Sequence, residues 1–394
     1  MAGPETVVDI LLVGGGVASV RCARTLRRRG FSGSVLLVGD EPHLPYNRPP
    51  LSKEWLRDEL PPDLVSAEPL EWYGRNRIDL RTDAAVTHFD PGKHLATVAD
   101  GSRIRFDRCL LATGAAPRRP PIPGAEHALM LRTLDDAARL RASAQPGVRT
   151  VVIGGGFIGV EAAASLAERG AAVTVLELAP LAWAGSLGPE VSAWASRALG
   201  AAGVALRTRA AVTHVDVDAV WVGEERLEAH LILAGVGVAP REELARDAGL
   251  DCDDGILTNA AHATSAAGIF AAGDVARVDG RRVEHWHAAR EGGERAALAM
   301  LGEGLPPARS PWVFSEFAGQ KLDVVGYAPA WDGLVPLGDA GGDRFAVAFV
   351  RDGIVAQLAI VNDALPVDQS RAWVDGRPGI GDLAALELRA PAGA

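Results

Sequence analysis

The sequence predicts an α/β chain with two parallel-sheet units followed by a smaller α+β unit, and three observations carry that expectation. Two glycine clusters, Gly14-Gly15-Gly16 and Gly154-Gly155-Gly156, each close a short apolar run and open an alanine-rich helical pattern. Each is followed one strand later by an acid, Asp40 in the first case and Glu177 in the second. Beyond Pro311 the pattern changes to short strand-like runs, notably residues 321–325 and 345–350, separated by turns rich in glycine, aspartate and proline.

The runs at 10–13 and 151–153 read as buried parallel strands, and the helix after each would turn its amide-rich N-terminus toward a pyrophosphate. The second cluster is complete, Gly154-x-Gly156-x-x-Gly159, with Phe157 and Ile158 inside it; the first ends in serine, Gly14-x-Gly16-x-x-Ser19. Serine is still small enough for close helix–strand packing. Strands at 34–38 and 172–176 lead to Asp40 and Glu177, and each carboxylate can accept hydrogen bonds from a ribose diol. Glu41, next to Asp40, is an alternative acceptor. Glu177 favours NADH over NADPH, because a 2′-phosphate beside it would meet like charge and no arginine follows closely. The fold class is therefore two Rossmann-like dinucleotide-binding domains plus a small C-terminal α+β domain.

Between the clusters, residues 103–112 read as strands ending in Ala112-Thr113-Gly114-Ala115, before a proline-rich crossing at 117–123. The second unit runs from about 148 to 238, with strands at 151–153, 173–176, 205–207 and 231–236, and Gly237 belongs to its binding turns. The pattern changes again near Arg241. Gly268-Ile269-Phe270-Ala271-Ala272-Gly273-Asp274 reads as a strand ending in a small-residue turn with an acid, and residues 290–301 as a helix. The resulting boundaries are 1–118 and 241–308 for the first dinucleotide domain, 119–240 for the second, and 309–394 for the C-terminal unit.

A length of 394 residues suffices for more than one core. The formal charge of −10 disfavours general nucleic-acid binding. Arg21, Arg24, Arg27, Arg28 and Arg29 crowd the first helix; cations suit a helix C-terminus, and docking of an acidic protein is the second reading. The three cysteines, Cys22, Cys109 and Cys252, form no close pair, so neither a metal set nor a disulfide framework is expected. Nothing before Val7 reads as a signal peptide and no run reaches membrane-spanning length, which leads to a cytoplasmic expectation.

Taken together, the sequence resembles the NADH-dependent, FAD-containing ferredoxin reductases of bacterial Rieske oxygenase and cytochrome P450 systems, within the glutathione-reductase-like superfamily. The resemblance spans essentially the whole chain. It rests on Gly14-Gly15-Gly16-Val17-Ala18-Ser19, Ala112-Thr113-Gly114, Gly154-Gly155-Gly156-Phe157-Ile158-Gly159-Val160-Glu161 and Ala272-Gly273-Asp274. The discriminating string is Pro45-Tyr46-Asn47-Arg48-Pro49-Pro50-Leu51-Ser52-Lys53. The resemblance implies FAD extended along the first domain, NADH meeting its ring from the second, and a C-terminal domain covering the other side. It implies that Asp274 binds the ribityl chain and that Glu284-His285-Trp286 approaches the flavin pyrimidine. Arg48 would neutralise an FAD phosphate, and Lys53 would pair with Glu161 beside the ring. The implied activity is hydride transfer from NADH to FAD, then two one-electron transfers to a small acidic [2Fe-2S] ferredoxin, by a monomer or weak homodimer.

Two departures qualify the pattern. Related reductases often carry arginines around the dinucleotide phosphates after the ribose acid, whereas Leu178-Ala179-Pro180-Leu181-Ala182-Trp183-Ala184-Gly185 carries none. Pro311-Trp312-Val313-Phe314-Ser315-Glu316 resembles a motif that is usually richer in large aromatics and ends in aspartate. No cysteine lies in residues 44–53, which disfavours thiol exchange. The alternatives left open are an NADH:rubredoxin reductase, a flavin-dependent NADH oxidase, and an apoptosis-inducing-factor-like redox sensor.

Overall fold

The computed structural model describes residues 4–61 and 64–389. The chain divides into two compact units, Met1–Arg48 with Pro61–Ala116 and Val238–Ala308, and Pro49–Leu60 with Pro117–Gly237 and Arg309–Ala394.

The first unit is built on one sheet in the spatial order Ile78–Arg81, Val35–Val38, Glu5–Val13, Arg103–Leu111, Leu95–Val98, Val86–Asp90. The first four strands run parallel, and the last two fold back antiparallel. The long Arg103–Leu111 strand serves two neighbours on one side: its start pairs with Leu95–Val98, its end with Ile269–Ala271. The central run is buried on both faces. Ile10 and Leu12 pack with Cys22, Ala23 and Leu26 of the helix Val17–Arg28 and with Ala296, Ala297 and Met300 of the helix Trp286–Met300. Leu11 and Val13 face Phe89, Phe106 and Ile256 on the opposite side. A parallel strand covered on both faces has no polar alternation, so its sequence is a continuous apolar run.

The second unit holds a four-stranded parallel sheet in the order Ala205–Arg207, Ala172–Leu176, Arg149–Ile153, Leu231–Ala234. An antiparallel meander, Val212–Val215, Ala219–Val222 and Glu225–Glu228, accompanies it. The helix Leu134–Ser143 opens on a capping box in which Thr133 and Asp136 satisfy each other's backbone amides. Helix Ala184–Ala201 is kinked at Gly188, whose φ of 75° precedes Pro189. The same unit contains a five-stranded antiparallel sheet, in the order Trp312–Phe317, Gln320–Gly326, Ile354–Val361, Ala346–Arg351, Gly333–Leu337, with the helix Val367–Asp375 packed on it.

The structure corrects some sequence boundaries. The helix expected over 290–301 begins at Trp286, capped by His285. Gly292 and Gly293 weaken its sequence signal, yet a Cβ on Gly293 would lie 2.1 Å from the Ala18 carbonyl oxygen of the neighbouring helix, so close packing demands glycine there. The strand expected over 231–236 ends at Ala234. The arginines of Val17–Arg28 are spent largely on local structure. Arg21 pairs with Glu294 and Arg24 with Glu68, while Arg27 donates to the carbonyls of Phe31, Gly33, Asn76 and Arg77. Among the described residues no helix is long and apolar enough to cross a membrane, and no group of three or more His, Cys, Asp or Glu could hold a metal ion.

Candidate functional site

The first glycine turn is made by steric necessity. Gly14 has φ 116°, and a Cβ there would stand 2.2 Å from the Ala112 carbonyl oxygen. Gly16 caps the helix in extended conformation, no side chain caps the helix, and nothing lies within 4 Å of where a Gly16 Cβ would be. The turn thus presents uncovered amides, the arrangement a pyrophosphate needs. Ser19 is fully buried, and its hydroxyl finds no hydrogen-bond partner among the described residues. Around this turn, Ala112 is buried, the Thr113 hydroxyl donates to the Arg241 carbonyl at 2.7 Å, and Gly114 and Gly273 hold φ of 72° and 79°.

The charged residues expected near this turn are engaged with protein partners. Asp40 accepts from Arg241 at 2.7 Å. Arg48 donates to Glu41 at 2.8 Å and to the Tyr46 hydroxyl at 3.0 Å, and Asp274 adds to the negative field around it. Glu284 pairs with Arg282. His285 Nδ1 accepts from the His287 amide at 3.4 Å as the helix cap. Trp286 donates its indole N–H to Asn47 Oδ1 at 2.8 Å, and the Arg290 guanidinium sits 4.4 Å from its ring centroid. The sequence had not singled out Arg241, Arg290 or the role of Asn47.

The second turn is tighter. Gly154 has φ 103°, with the Gly235 carbonyl oxygen 2.4 Å from a notional Cβ; at Gly159 the corresponding distance, to the Gly154 carbonyl oxygen, is 2.0 Å. This closeness explains why the second cluster keeps its third glycine. Gly156 caps the helix Phe157–Glu168 in extended conformation without a side-chain cap. Glu177 clamps the turn: one carboxylate oxygen accepts from the Gly155 amide at 2.6 Å, the other from the Ala179 amide at 2.7 Å. Each oxygen keeps a further lone pair for a ribose hydroxyl. Phe157 stacks on Trp183 with centroids 5.1 Å apart, Ile158 is exposed, and Gly237 has φ 97° with open space where a Cβ would lie.

Lys53 and Glu161 meet inside the second unit. The ammonium lies 2.8 Å from Glu161 Oε2, and both residues are buried, 5% and 3% exposed. Ser52 donates to the same carboxylate oxygen at 2.5 Å, and Ser315 donates to Oε1 at 2.7 Å. Ser165 donates to the Ser52 carbonyl at 2.8 Å, and the Lys53 ammonium lies 5.7 Å from the Phe314 ring centroid. The carboxylate is therefore held by three donors, and the lysine by a carboxylate and an aromatic face. Ser52, Ser165 and Ser315 are partners that sequence reasoning missed. Ser315 lies within the Pro311 to Glu316 string already marked as unusual, which was the available signal.

With the two glycine turns in place, the chain can be compared with known proteins. A family model described as pyridine nucleotide-disulphide oxidoreductase matches residues 8–293. The chain belongs to that family. Among relatives of this oxidoreductase, the ferredoxin reductase component of chlorobenzene dioxygenase from Cupriavidus sp. (strain PS12) is 33% identical, over 94% of this chain and 93% of the relative. Its fold resembles a solved chain of the covalent putidaredoxin reductase–putidaredoxin complex, with TM-score 0.90, 31% identity, and 94% and 93% coverage. It also resembles the ferredoxin reductase for the CYP199A2 system from Rhodopseudomonas palustris, with TM-score 0.86, 32% identity, and 90% and 91% coverage. The chain is an FAD-dependent, pyridine-nucleotide-using oxidoreductase of mixed α/β fold. The disulphide of the family's description has no counterpart here: all three cysteines are free, and burial pushes the Cys22 and Cys109 thiols upward and that of Cys252 to about 11.

Proposed function

We propose that the protein is an NADH:ferredoxin oxidoreductase that feeds a Rieske oxygenase or cytochrome P450 through a small acidic [2Fe-2S] ferredoxin. The observation that carries this reading is the 33% identity, across nearly the full length of both chains, to a reductase component that serves a dioxygenase. The absence of a cysteine pair in the sequence supports electron carriage over thiol exchange.

The residues fit the two dinucleotides. Turns at Gly14 and Gly154 that leave no room for a Cβ bring backbone amides to the surface of each helix start. Gly14, Gly16, Ser19, Asp40, Arg48, Ala112, Thr113, Gly114, Gly273, Asp274, Glu284, His285 and Trp286 would hold FAD. Gly154, Gly156, Phe157, Ile158, Gly159, Glu177 and Gly237 would hold NADH. Under this reading the layout is a two-part FAD domain, 1–118 and 241–308, an NADH domain, 119–240, and a C-terminal domain, 309–394.

The chemistry supplied by bound FAD is the conversion of a two-electron hydride from NADH into two one-electron transfers to an iron–sulfur carrier. The protein's share is placement. Glu177, already clamped by two amides, offers its remaining lone pairs to a free ribose diol and repels a 2′-phosphate. Glu161, which accepts from three donors, holds the Lys53 ammonium in one position.

The test is steady-state NADH oxidation by the flavin-loaded protein with a [2Fe-2S] ferredoxin, rubredoxin, a quinone or oxygen as acceptor. The reading expects the [2Fe-2S] protein to support the highest turnover. Faster turnover with oxygen or quinone than with every iron–sulfur protein tried would overturn it.

A further inference from the structure

The string after Glu177 lacks the arginines that commonly meet dinucleotide phosphates, but the fold brings one to the same place from a different strand. Strand Ala205–Arg207 lies beside Ala172–Leu176 in parallel register, so the residues just beyond both strands emerge at the same edge of the sheet. There the chains are stitched together: the Arg209 amide donates to the Ala179 carbonyl at 3.1 Å, and the Ala210 amide to the Glu177 carbonyl at 3.0 Å. Arg209 holds φ 54°, a conformation that a residue other than glycine adopts only where its surroundings hold it. Its side chain is exposed and makes no hydrogen bond or ion pair with the described residues. Arg207, two residues earlier, is by contrast committed to Glu225 through bonds of 2.9 and 2.6 Å. Leu178, between the two tethered carbonyls, is 71% exposed and offers an apolar surface without a charge.

We infer that Arg209 is a specificity-determining residue of the nucleotide site, a latent 2′-phosphate binder held in check by Glu177. The inference rests on the proposed use of the Gly154 turn for a nicotinamide dinucleotide. A ribose at the C-terminal end of Ala172–Leu176 has Glu177 as its hydrogen-bond acceptor, and the backbone that carries the exposed guanidinium of Arg209 is tethered to the same turn. With Glu177 present, a 2′-phosphate meets a carboxylate and a guanidinium together, and the two effects oppose each other. Removing only the carboxylate leaves the phosphate with the cation that the neighbouring turn carries, a group able to donate in bidentate fashion. Preference for NADH then depends on one residue, and its reversal needs no introduced arginine.

The experiment is equilibrium binding of NAD+ and NADP+, neither of which can reduce the flavin, to flavin-loaded wild type, Glu177→Ser, Arg209→Ala, Arg209→Lys and the Glu177→Ser/Arg209→Ala double variant, at several salt concentrations. Melting curves accompany each to show that it is folded. Glu177→Ser is expected to tighten NADP+ binding about tenfold or more relative to NAD+, with an affinity that falls steeply with salt. Adding Arg209→Ala should abolish both the gain and the salt dependence, and Arg209→Lys alone should retain most wild-type NADP+ affinity. If the folded double variant bound NADP+ as tightly as Glu177→Ser, or if Glu177→Ser brought no gain, Arg209 would have no such role. Failure of wild type to bind NAD+ would instead strike at the dinucleotide reading itself, so the two failures are separable.

Discussion

Replacing Glu161 by glutamine removes one charge from a pair that has almost no access to water. Lys53 is 5% exposed and Glu161 3% exposed, and the ammonium lies 2.8 Å from the carboxylate. The glutamine side chain has nearly the same shape, so packing is retained, but two consequences follow. The Lys53 charge loses its 2.8 Å carboxylate partner and keeps the Phe314 face, and the amide NH2 must face one of three groups that were donating to the carboxylate. Breaking a buried pair from one side costs about 3–5 kcal/mol, several times the value of an exposed pair. Urea unfolding of flavin-loaded Glu161→Gln should therefore show a loss in that range. Lys53→Met/Glu161→Leu should recover part of it, because an apolar pair leaves no uncompensated charge and only the serine hydroxyls lose their acceptor. The double-mutant cycle should give a coupling of about 2 kcal/mol or more. Single variants each costing under about 1 kcal/mol with no coupling would refute the view that this pair anchors the Pro49–Leu60 segment to the helix Phe157–Glu168.

Other outcomes follow from the same geometry. Denatured wild type should release one FAD per chain, and Asp274→Ala should raise the fraction of flavin lost on dilution; equal retention in the two proteins would remove Asp274 from the flavin site. Gly159→Ala places a methyl 2.0 Å from the Gly154 carbonyl oxygen and should cost about 1–3 kcal/mol and weaken NAD+ binding, whereas Ser19→Ala deletes a hydroxyl with no partner among the described residues and should change stability little. Melting and nucleotide titration distinguish the two cases. His262 is buried, its Nδ1–H donates to the Ala271 carbonyl at 2.9 Å, and burial lowers its pKa from 6.5 to about 4. The unfolded chain takes up the proton first, so the stability due to neutral His262 is complete above about pH 6.5 and is lost as pH falls toward 4, at up to about 1.4 kcal/mol per pH unit. Unfolding at pH 7.5 and 5.5 should show a smaller difference in His262→Asn than in wild type; an unchanged difference would contradict the assignment.

What the sequence made legible is what local sterics dictate. Gly14 and Gly154 could be read because their positive φ and the carbonyls packed against them exclude every side chain. The run at 10–13 could be read as a strand buried on both faces because both faces are covered. In the five-stranded C-terminal sheet the runs near 321–325 and 345–350 stood out, whereas Trp312–Phe317 and Gly333–Leu337 lie at its edges. Partners distant in sequence stayed hidden. Ser315 reaches Glu161 across 154 positions and Arg241 reaches Asp40 across 201, and neither residue type carries a periodic signal. The start of the helix at Trp286 was obscured by Gly292 and Gly293, residues chosen for contact with Ala18 and His262 and not for helix propensity. Arg209 lies beyond a short three-residue strand, and only the pairing of that strand shows which turn it joins.

The most direct test of the central claim is a single-turnover experiment. Flavin-loaded protein is reduced anaerobically by NADH and then mixed in a stopped-flow instrument with an oxidised [2Fe-2S] ferredoxin or with oxygen, and flavin absorbance and iron–sulfur bleaching are followed together. A reductase predicts prompt flavin reoxidation by the ferredoxin, much faster than by oxygen, with two ferredoxins reduced per flavin. Flavin that stays reduced for long periods in the presence of every ferredoxin tried, accompanied by a change in oligomeric mass, would contradict it and point to a redox sensor.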